Sequence, residues 1–284
     1  MSNLQHQIST AFKAACMAEL EALKPGNVHI FADGHGMTIH DFIKSAEAVA
    51  HVVAQPDLSL GQRIIFSVQA TQKVVGCNTN LGIILLCAPM IHAALMPNNS
   101  GFYTNLLHVL QRTTVDDAQQ TFTAIALAKP AGLGDATKHN VHQPADCTLL
   151  QAMQIAADRD LVAAQYSNQF DAIFNIGVPL LKQPTHANRA WLTTKLYLTF
   201  MATFTDSHIL RKHGAKTASQ IQQQASQHLT IFNNLSNPKL YQSKLLAWDN
   251  QLKQMHINPG TSADLTVASL LAYALNHLVK QDDG

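Results

Sequence analysis

The residues best suited to chemistry lie in five short segments that combine charged or amide side chains with glycine or proline. These segments cover residues 21–28, 78–82, 131–139, 206–214 and 258–265. Charged residues make up only 13% of the 284-residue chain, well below the roughly 25% of an ordinary soluble domain. Because charges are so scarce, their clustering in such segments points to binding or catalysis rather than to solubility.

The first and last segments place carboxylates at the ends of predicted helices. Pro25-Gly26 ends a helix and is expected to leave Glu21 and Lys24 on one face of its last turn. Asp264 is expected in the first turn of another helix, three residues after Thr261. Each pattern also has a purely structural interpretation, because Pro-Gly commonly follows a helix and Thr261…Asp264 has the spacing of a capping box.

The other three segments are typical of loops that bind anions or carry charge. Asn78-Thr79-Asn80 leads into a very apolar helix, whose first backbone N–H groups are suited to holding an anion. Gly132 and Gly134 form a Gly-x-Gly loop, which is weak evidence for a nucleotide site when no strand precedes it. Residues 206–214 combine an aspartate, a serine, two histidines, an arginine and a lysine.

The overall composition excludes several classes of protein. The formal net charge is +1 and 47% of the residues are hydrophobic, which argues against disorder and against a nucleic-acid partner, since such a partner requires a basic excess. The most apolar stretch, residues 81–96, is shorter than the roughly 20 apolar residues of a membrane span, so no membrane association is expected. The N-terminus has no apolar signal core and the cysteines form no CxxC pair. We therefore expect a cytoplasmic protein.

Helical periodicity extends through almost the whole chain. Apolar residues recur every three or four positions in segments such as residues 4–23 and 39–53, and no stretch alternates with the period of a strand. Thr38…Asp41 and Thr114…Asp117 have capping-box spacing, which marks helix starts. The sequence thus predicts an all-α fold, a single multi-helix globular domain over residues 1–284, with its site formed by loops at helix ends.

The five segments, taken together and in order, resemble the triphosphoribosyl-dephospho-CoA synthase family. The resemblance is carried by residues 24–28, 78–83, 132–134 with His139, 206–214 and 258–265. It implies an all-helical fold and a reaction in which a ribose hydroxyl of 3′-dephospho-CoA attacks C1′ of ATP. Adenine then leaves, and the triphosphate stays on the transferred ribose. The Asn27-Val28-His29 form of the first segment is more similar to the methylotroph and archaeal branch of the family than to the citrate lyase branch.

The resemblance, combined with side-chain chemistry, assigns expected roles to individual residues. Glu21 and Asp264 are the expected ligands of a Mg²⁺ cofactor that is bound with the substrate ATP. Asp206 is the expected general base, and His208 or His139 is the expected acid that protonates adenine. The residues expected to bind the nucleotide and its phosphates are Lys24, Asn27, Asn78, Asn80, Gly132, Gly134, Arg159, Ser207, Arg211, Lys212, Thr261 and Ser262.

Two other functions stay open at the level of sequence. The first is a related ATP-using ribosyl transferase with a different hydroxyl acceptor, in the assembly of one-carbon cofactors. The second is a non-catalytic helical protein that binds a nucleotide as a regulator. The second is less favoured, because it is costly to bring carboxylates and cations together without a charged ligand. The sequence does not decide between a monomer and a homodimer.

Overall fold

The computed structural model describes residues 2–97, 101–130, 141–183 and 188–281. These residues contain helices and no β-strand, so the all-α prediction is confirmed. The helices are α1 (Asn3–Leu20), α2 (Ile39–Val53), α3 (Leu60–Val75), α4 (Leu81–Leu95), α5 (Phe102–Gln111), α6 (Val115–Ala128), α7 (Leu149–Ala156), α8 (Leu161–Ser167), a π-helix (Ala172–Gly177), α9 (Val178–Leu181), α10 (Arg189–Thr203), α11 (Ser207–Asn233), a 3₁₀-helix (Pro238–Tyr241), α12 (Gln242–Gln254) and α13 (Gly260–Gln281). Within these ranges, every helix is too short or too polar to cross a membrane.

Two helix starts follow directly from sequence signals. Thr38 and Asp41 form a capping box at the start of α2, and Thr114 and Asp117 form another at the start of α6. In each box the threonine hydroxyl accepts from the aspartate backbone N–H, and the aspartate carboxylate accepts from the threonine N–H, so two otherwise unpaired donors are satisfied. Both predicted boxes are confirmed.

The capping box suggested by Thr261 and Asp264 does not form. Helix α13 starts at Gly260, so Thr261 lies inside the helix rather than before it. The hydroxyl of Thr261 is instead 2.9 Å from the hydroxyl of Ser207. The structural interpretation of this pattern is therefore wrong, and the side chain of Asp264 is left available for another role.

The chain after α1 differs from the predicted helix end. Helix α1 ends at Leu20, and Glu21 is its C-terminal cap. Gly26 has a φ of +85°, and a Cβ at this position would lie 2.8 Å from Cδ of Pro259, so only glycine fits this turn. Lys24 is fully buried, whereas Glu21 is exposed. The expectation that Glu21 and Lys24 share a helical face is wrong, because both residues follow the last residue of α1.

Helices α4 and α13 form the centre of the core. Helix α4 is the very apolar segment of the sequence, and it packs against α3, α5 and α13. Helix α13 also packs against α1, α10 and the π-helix. A Cβ on Gly177 of the π-helix would lie 2.1 Å from Oγ of Ser269, so the missing side chain lets the π-helix approach α13 closely.

The buried apolar side chains form two clusters that share two helices. The larger cluster draws on helices from α1 to α10 and on α13. The smaller cluster draws mainly on α10, α11 and α12, with Leu23, Ile257 and Ala263 added. Because α10 and α13 contribute to both clusters, we retain the single-domain assignment as a proposal.

Candidate active site

A cavity with a volume of about 840 Å³ lies among the described residues. This volume is typical of a small-molecule site, which spans roughly 300–1,000 Å³. The cavity wall contains residues of four of the five segments singled out in the sequence, although these segments are far apart along the chain. The remaining segment, with the predicted site residues Gly132, Gly134 and His139, lies outside the described residues.

The N-terminal turns of α4, α8, α11 and α13 all contribute to the cavity wall. A helix N-terminus carries partial positive charge and unpaired backbone N–H groups, both of which favour a bound anion. Two of these ends are already capped by a carboxylate, that of Asp160 on α8 and that of Asp206 on α11. The ends of four helices thus combine donors and carboxylates around one cavity.

Asn78 and Asn80 line the cavity at the start of α4. Oδ1 of Asn78 accepts from the backbone N–H of Leu81 at 3.1 Å. Oδ1 of Asn80 accepts from the hydroxyl of Thr71 at 2.9 Å. Because each Oδ1 atom accepts a hydrogen bond from the protein, the Nδ2 group of each asparagine remains available to donate to a ligand. The predicted role of Asn78 and Asn80 in nucleotide binding requires such a donor.

A hydrogen-bonded chain of buried polar residues connects the loop after α1 with the segment before α13. Nζ of Lys24 donates to the carboxylate of Glu19 and, at 2.9 Å, to Oδ1 of Asn27. Nδ2 of Asn27 donates to Oδ1 of Asn258 at 2.8 Å. Glu19, Asn27 and Asn258 line the cavity but Lys24 does not. We name these four residues the Lys24 relay.

The buried position of Lys24 changes its expected role. Burial lowers the pKa of Lys24, and the adjacent Glu19 opposes this effect by favouring the ammonium form. Because the side chain is fully buried and lies behind the cavity wall, it does not reach a ligand in the cavity. Lys24 therefore supports residues of the cavity wall. The sequence predicted that Lys24 binds phosphate directly, but its buried position does not allow this contact.

Glu19, and not Glu21, is the acidic residue of this region that faces the cavity. The exposed Glu21 is absent from the cavity wall, whereas the buried Glu19 forms part of it. Burial raises the pKa of Glu19, and the ion pair with Lys24 opposes that rise. The expectation that Glu21 is a metal ligand is thus not supported by its position, because the helix ends before it.

Asp264 faces the cavity from the first turn of α13. A Cβ on Gly82 would lie 2.0 Å from Oδ2 of Asp264, so the glycine makes room for this carboxylate at the start of α4. Burial raises the pKa of Asp264 well above its ordinary value, and the charges of Asp206, Glu19 and Asp160 raise it further. In the described structure no hydrogen-bond donor reaches this carboxylate, which leaves it free to bind a cation or a substrate group.

Asp206 joins the starts of α11 and α13 and does not line the cavity. Its Oδ1 accepts from the backbone N–H groups of His208 and Ile209 at 2.9 and 3.2 Å. Its Oδ2 accepts from the N–H and the hydroxyl of Ser262, both at 2.8 Å. Burial raises the pKa of Asp206, and the hydrogen bonds from Ser262 lower it. Since protein donors occupy both oxygens, the geometry argues against the predicted role of Asp206 as general base.

His208 lines the cavity beside the start of α13. A Cβ on Gly260 would lie 2.6 Å from Nδ1 of His208, so this glycine accommodates the imidazole ring. Burial lowers the pKa of His208 to about 4, and the positive charges of Arg211 and Lys212 add to the effect. The imidazole is therefore neutral at pH 7, which suits a proton acceptor better than the predicted proton donor.

Arg159, Arg211 and Lys212 form a cationic group on the cavity wall. The guanidinium of Arg211 is paired with the carboxylate of Asp160, which fixes its position next to α8. Within the described ranges, neither Arg159 nor Lys212 takes part in an ion pair. Both side chains are exposed and available to the outer oxygens of a polyanion.

The structure separates the predicted site residues into groups. Those that line the cavity are Asn27, Asn78, Asn80, Arg159, His208, Arg211, Lys212, Thr261 and Asp264. Those that are buried outside its wall are Lys24, Asp206, Ser207 and Ser262. Ser207 belongs to the second group because its hydroxyl bonds to Thr261 and accepts from the N–H of Leu161 at 3.3 Å.

The cavity-wall residues that sequence reasoning missed include the polar and glycine positions Glu19, Gly82, Asp160 and Asn258. Gly82 and Asn258 lie within segments that the sequence singled out, but neither has a charge that would mark it. Glu19 is hidden among the buried residues of α1. Asp160 belongs to the triplet Asp158-Arg159-Asp160, which is typical of a solvated helix face; its position just before the apolar α8 was the available signal of a cap.

The ends of several helices enclose a cavity that contains carboxylates, cations and a neutral histidine. This arrangement is typical of a helical protein that binds a charged small molecule. Comparison with known protein families gives the particular family. Residues 5–283 match the CitG family, described as ATP:dephospho-CoA triphosphoribosyl transferase. The chain belongs to this family and is a transferase, as the sequence resemblance implied.

A solved structure supports the fold assignment. The chain is similar to a candidate triphosphoribosyl-dephospho-CoA synthase from Archaeoglobus fulgidus, with a TM-score of 0.66 and 20% sequence identity. The similarity covers 83% of this chain and 97% of the archaeal chain. No curated protein sequence matches this chain. At this level of identity the likeness establishes a shared helical fold.

Proposed function

We propose that the protein transfers the triphosphoribosyl group of ATP to a ribose hydroxyl of 3′-dephospho-CoA and releases adenine. The observation that carries the proposal is the meeting of Asp264, His208 and the cationic group at one cavity. The triphosphate requires cations, the transferred ribose requires a nearby carboxylate and the acceptor hydroxyl requires a base. The cavity holds all three kinds of group.

The phosphates are expected to bind to the cationic group and to the start of α4. Arg159, Arg211 and Lys212 provide guanidinium and ammonium donors, which match the oxygens of a triphosphate. The pairing of Arg211 with Asp160 holds one guanidinium in place before the nucleotide arrives. The Nδ2 groups of Asn78 and Asn80 add neutral donors.

The carboxylates of the cavity fit a Mg²⁺ ion bound together with ATP. Glu19 and Asp264 supply the oxygen ligands that Mg²⁺ prefers, and Asp264 lacks a hydrogen-bond donor within the described residues. The described part of the chain contains no group of three or more His, Cys, Asp or Glu side chains that could hold a metal ion. The ion would therefore complete its coordination shell with water and phosphate oxygens, as Mg²⁺ commonly does. When bound, Mg²⁺ would neutralise part of the triphosphate charge.

The transfer step forms one bond and breaks another at C1′ of the ATP ribose. The acceptor hydroxyl attacks C1′ while the bond from C1′ to adenine breaks, and adenine leaves with the electron pair. Neutral His208 is placed to accept the hydroxyl proton. The carboxylate of Asp264 stabilises the positive charge that develops on the ribose ring. Adenine takes up a proton on leaving, for which His139 remains the proposed donor.

The acceptor and the cellular location belong to the same proposal. We assign 3′-dephospho-CoA as acceptor because the family is described by this substrate. A reaction that consumes ATP and a coenzyme A precursor is expected in the cytoplasm. If adenine is released only with a different hydroxyl compound, ATP remains the donor in the proposal and that compound replaces 3′-dephospho-CoA as the acceptor.

The test is the product formed from ATP, Mg²⁺ and 3′-dephospho-CoA. We expect equimolar adenine and a triphosphoribosylated coenzyme, which chromatography and mass spectrometry detect. Formation of ADP would contradict the proposal, because it would identify a kinase. Asp264→Asn is expected to lower kcat by about 100-fold or more, since it removes a preorganised charge from the transition state.

The control for this variant is Asp57→Asn. Asp57 is an exposed residue outside the cavity, so the same change of charge there is expected to leave kcat unaltered. Circular dichroism of both variants checks that helical content is retained. Full activity of a folded Asp264→Asn protein would remove Asp264 from the site.

A further inference from the structure

The side chain of Asn258 has an orientation that the Lys24 relay determines. A lysine ammonium carries only donors, so the atom of Asn27 that faces Nζ of Lys24 must be the amide oxygen. The opposite atom of Asn27 is then Nδ2, which donates to Asn258 at 2.8 Å. The atom of Asn258 that receives this bond must in turn be Oδ1. The direction of both amides follows from the lysine.

The other end of the Asn258 amide lacks a partner in the described part of the chain. Asn258 is 8% exposed and lines the cavity. Within the described residues, no acceptor lies at hydrogen-bond distance from its Nδ2. Its own backbone carbonyl accepts from the N–H of Gly260 at 2.9 Å, so the main chain at this position is fixed as well. The free N–H groups of Asn258 are therefore available to a ligand in the cavity.

We propose that Asn258 donates a hydrogen bond to an oxygen of the bound nucleotide, and that Lys24 sets this polarity through Asn27. Asn258 is then a substrate-binding residue, while Lys24 and Asn27 are positioning residues that act through it. The inference rests on the proposed function for the identity of the nucleotide. It assigns a purpose to the buried lysine, whose desolvation is otherwise offset by its ion pair with Glu19 and by the charge of Asp264.

Two isosteric substitutions test the polarity of the relay. Asn258→Asp replaces the offered N–H group with an oxygen. Asn27→Asp keeps an oxygen toward Lys24 but presents a second oxygen to Asn258, whose amide then rotates and turns its own oxygen to the cavity. Each variant is expected to weaken ATP binding and kcat/KM by about 10- to 100-fold, the size of a lost hydrogen bond to a charged group.

The double variant distinguishes a relay from two independent contacts. In Asn27→Asp/Asn258→Asp the donor is already lost, so the change at position 27 is expected to add less than about twofold to the effect of Asn258→Asp. Lys24→Met is a poorer test because it leaves Glu19 buried without its partner and destabilises the fold. Asn233→Asp, at an exposed position outside the cavity, is the matched control.

Calorimetry with ATP and Mg²⁺ gives the affinities, and adenine release with each substrate varied gives kcat and the two KM values. A rise in the KM for ATP or in that for 3′-dephospho-CoA supports the proposal and identifies which nucleotide accepts the bond. The proposal is overturned if Asn27→Asp binds both nucleotides like the wild type, or if the two effects multiply in the double variant. Absence of adenine release by the wild type would reject the proposed function alone, because the calorimetric comparison still tests the relay.

Discussion

The imidazole of His208 illustrates how its surroundings set the chemistry of one residue. The same side chain in water would be partly protonated near neutral pH, with a pKa of about 6.5. In the cavity, burial and the nearby Arg211 and Lys212 lower that pKa to about 4. At pH 7 only roughly one molecule in a thousand then carries the proton. The sequence identified the residue but could not assign its protonation state.

A pH profile tests the role of His208 as base. Because the pKa of His208 is about 4, this histidine stays neutral between about pH 8 and about pH 6. We therefore expect that kcat/KM does not fall over this range with the apparent pKa of about 6.5 that an ordinary histidine would give. His208→Gln should lower kcat by about 100-fold or more. The exposed His51 offers the matched control His51→Gln, which should not change kcat. An acid limb near pH 6.5 that disappears in His208→Gln would contradict the lowered pKa.

The lowered pKa of His208 also links protonation to stability. Between about pH 4 and about pH 6.5 the unfolded chain binds a proton at this histidine that the folded chain does not. The free energy of unfolding therefore decreases as the pH falls through this window. Above it, His208 is neutral in both states and its contribution no longer changes with pH.

At the scale of helices, the site depends on how two helix ends are joined. Asp206 connects the start of α11 to the start of α13 through Ser262, and this connection joins the two helices that bring His208 and Asp264 to the cavity wall. The carboxylate is nearly completely buried, at 4% exposure. An aspartate that the sequence assigned to catalysis thus positions two helices.

Substitution of Asp206 separates the structural role from the catalytic one. Asp206→Asn replaces an acceptor oxygen with a donor group opposite Ser262 or opposite the α11 backbone. We expect the free energy of unfolding to fall by about 2–4 kcal/mol, which combines a lost charged hydrogen bond with a weakened helix cap. Urea unfolding measures this change, with Asp57→Asn as the control. A variant with unchanged stability and abolished turnover would restore the assignment of Asp206 as base.

The sequence predicted the helical elements better than the directions of their side chains. Helical periodicity and capping boxes depend on neighbouring residues, so the starts of α2 and α6 were predicted correctly. Glu19 and Glu21 differ by two positions in sequence, but which one faces the cavity depends on where α1 ends and on the turn at Gly26. Tertiary packing sets both, and neither has a local sequence signal.

At the scale of the whole molecule, the cavity lies where residues from both ends of the chain meet. Asn27 follows the first helix and Asp264 begins the last, yet both line the same wall. Helices α10 and α13 contribute to both hydrophobic clusters. A ligand in the cavity is therefore expected to stabilise the fold as one unit.

Thermal unfolding with ATP and Mg²⁺ tests this expectation. At a ligand concentration 100 times Kd, the free energy of unfolding should rise by about 2.7 kcal/mol. A single transition should shift to higher temperature as a whole, because both clusters share α10 and α13. Two transitions, of which ATP moves only one, would contradict the single-domain assignment.

Because α13 supplies one wall of the cavity, the order of synthesis matters. A chain still emerging from the ribosome has the loop after α1 long before it has Thr261 and Asp264. Until α13 docks against α1 and α4, a nascent chain has no complete pocket in which to cleave ATP. Incomplete polypeptides are therefore expected to release no adenine, and activity should appear only once translation has delivered the last helix.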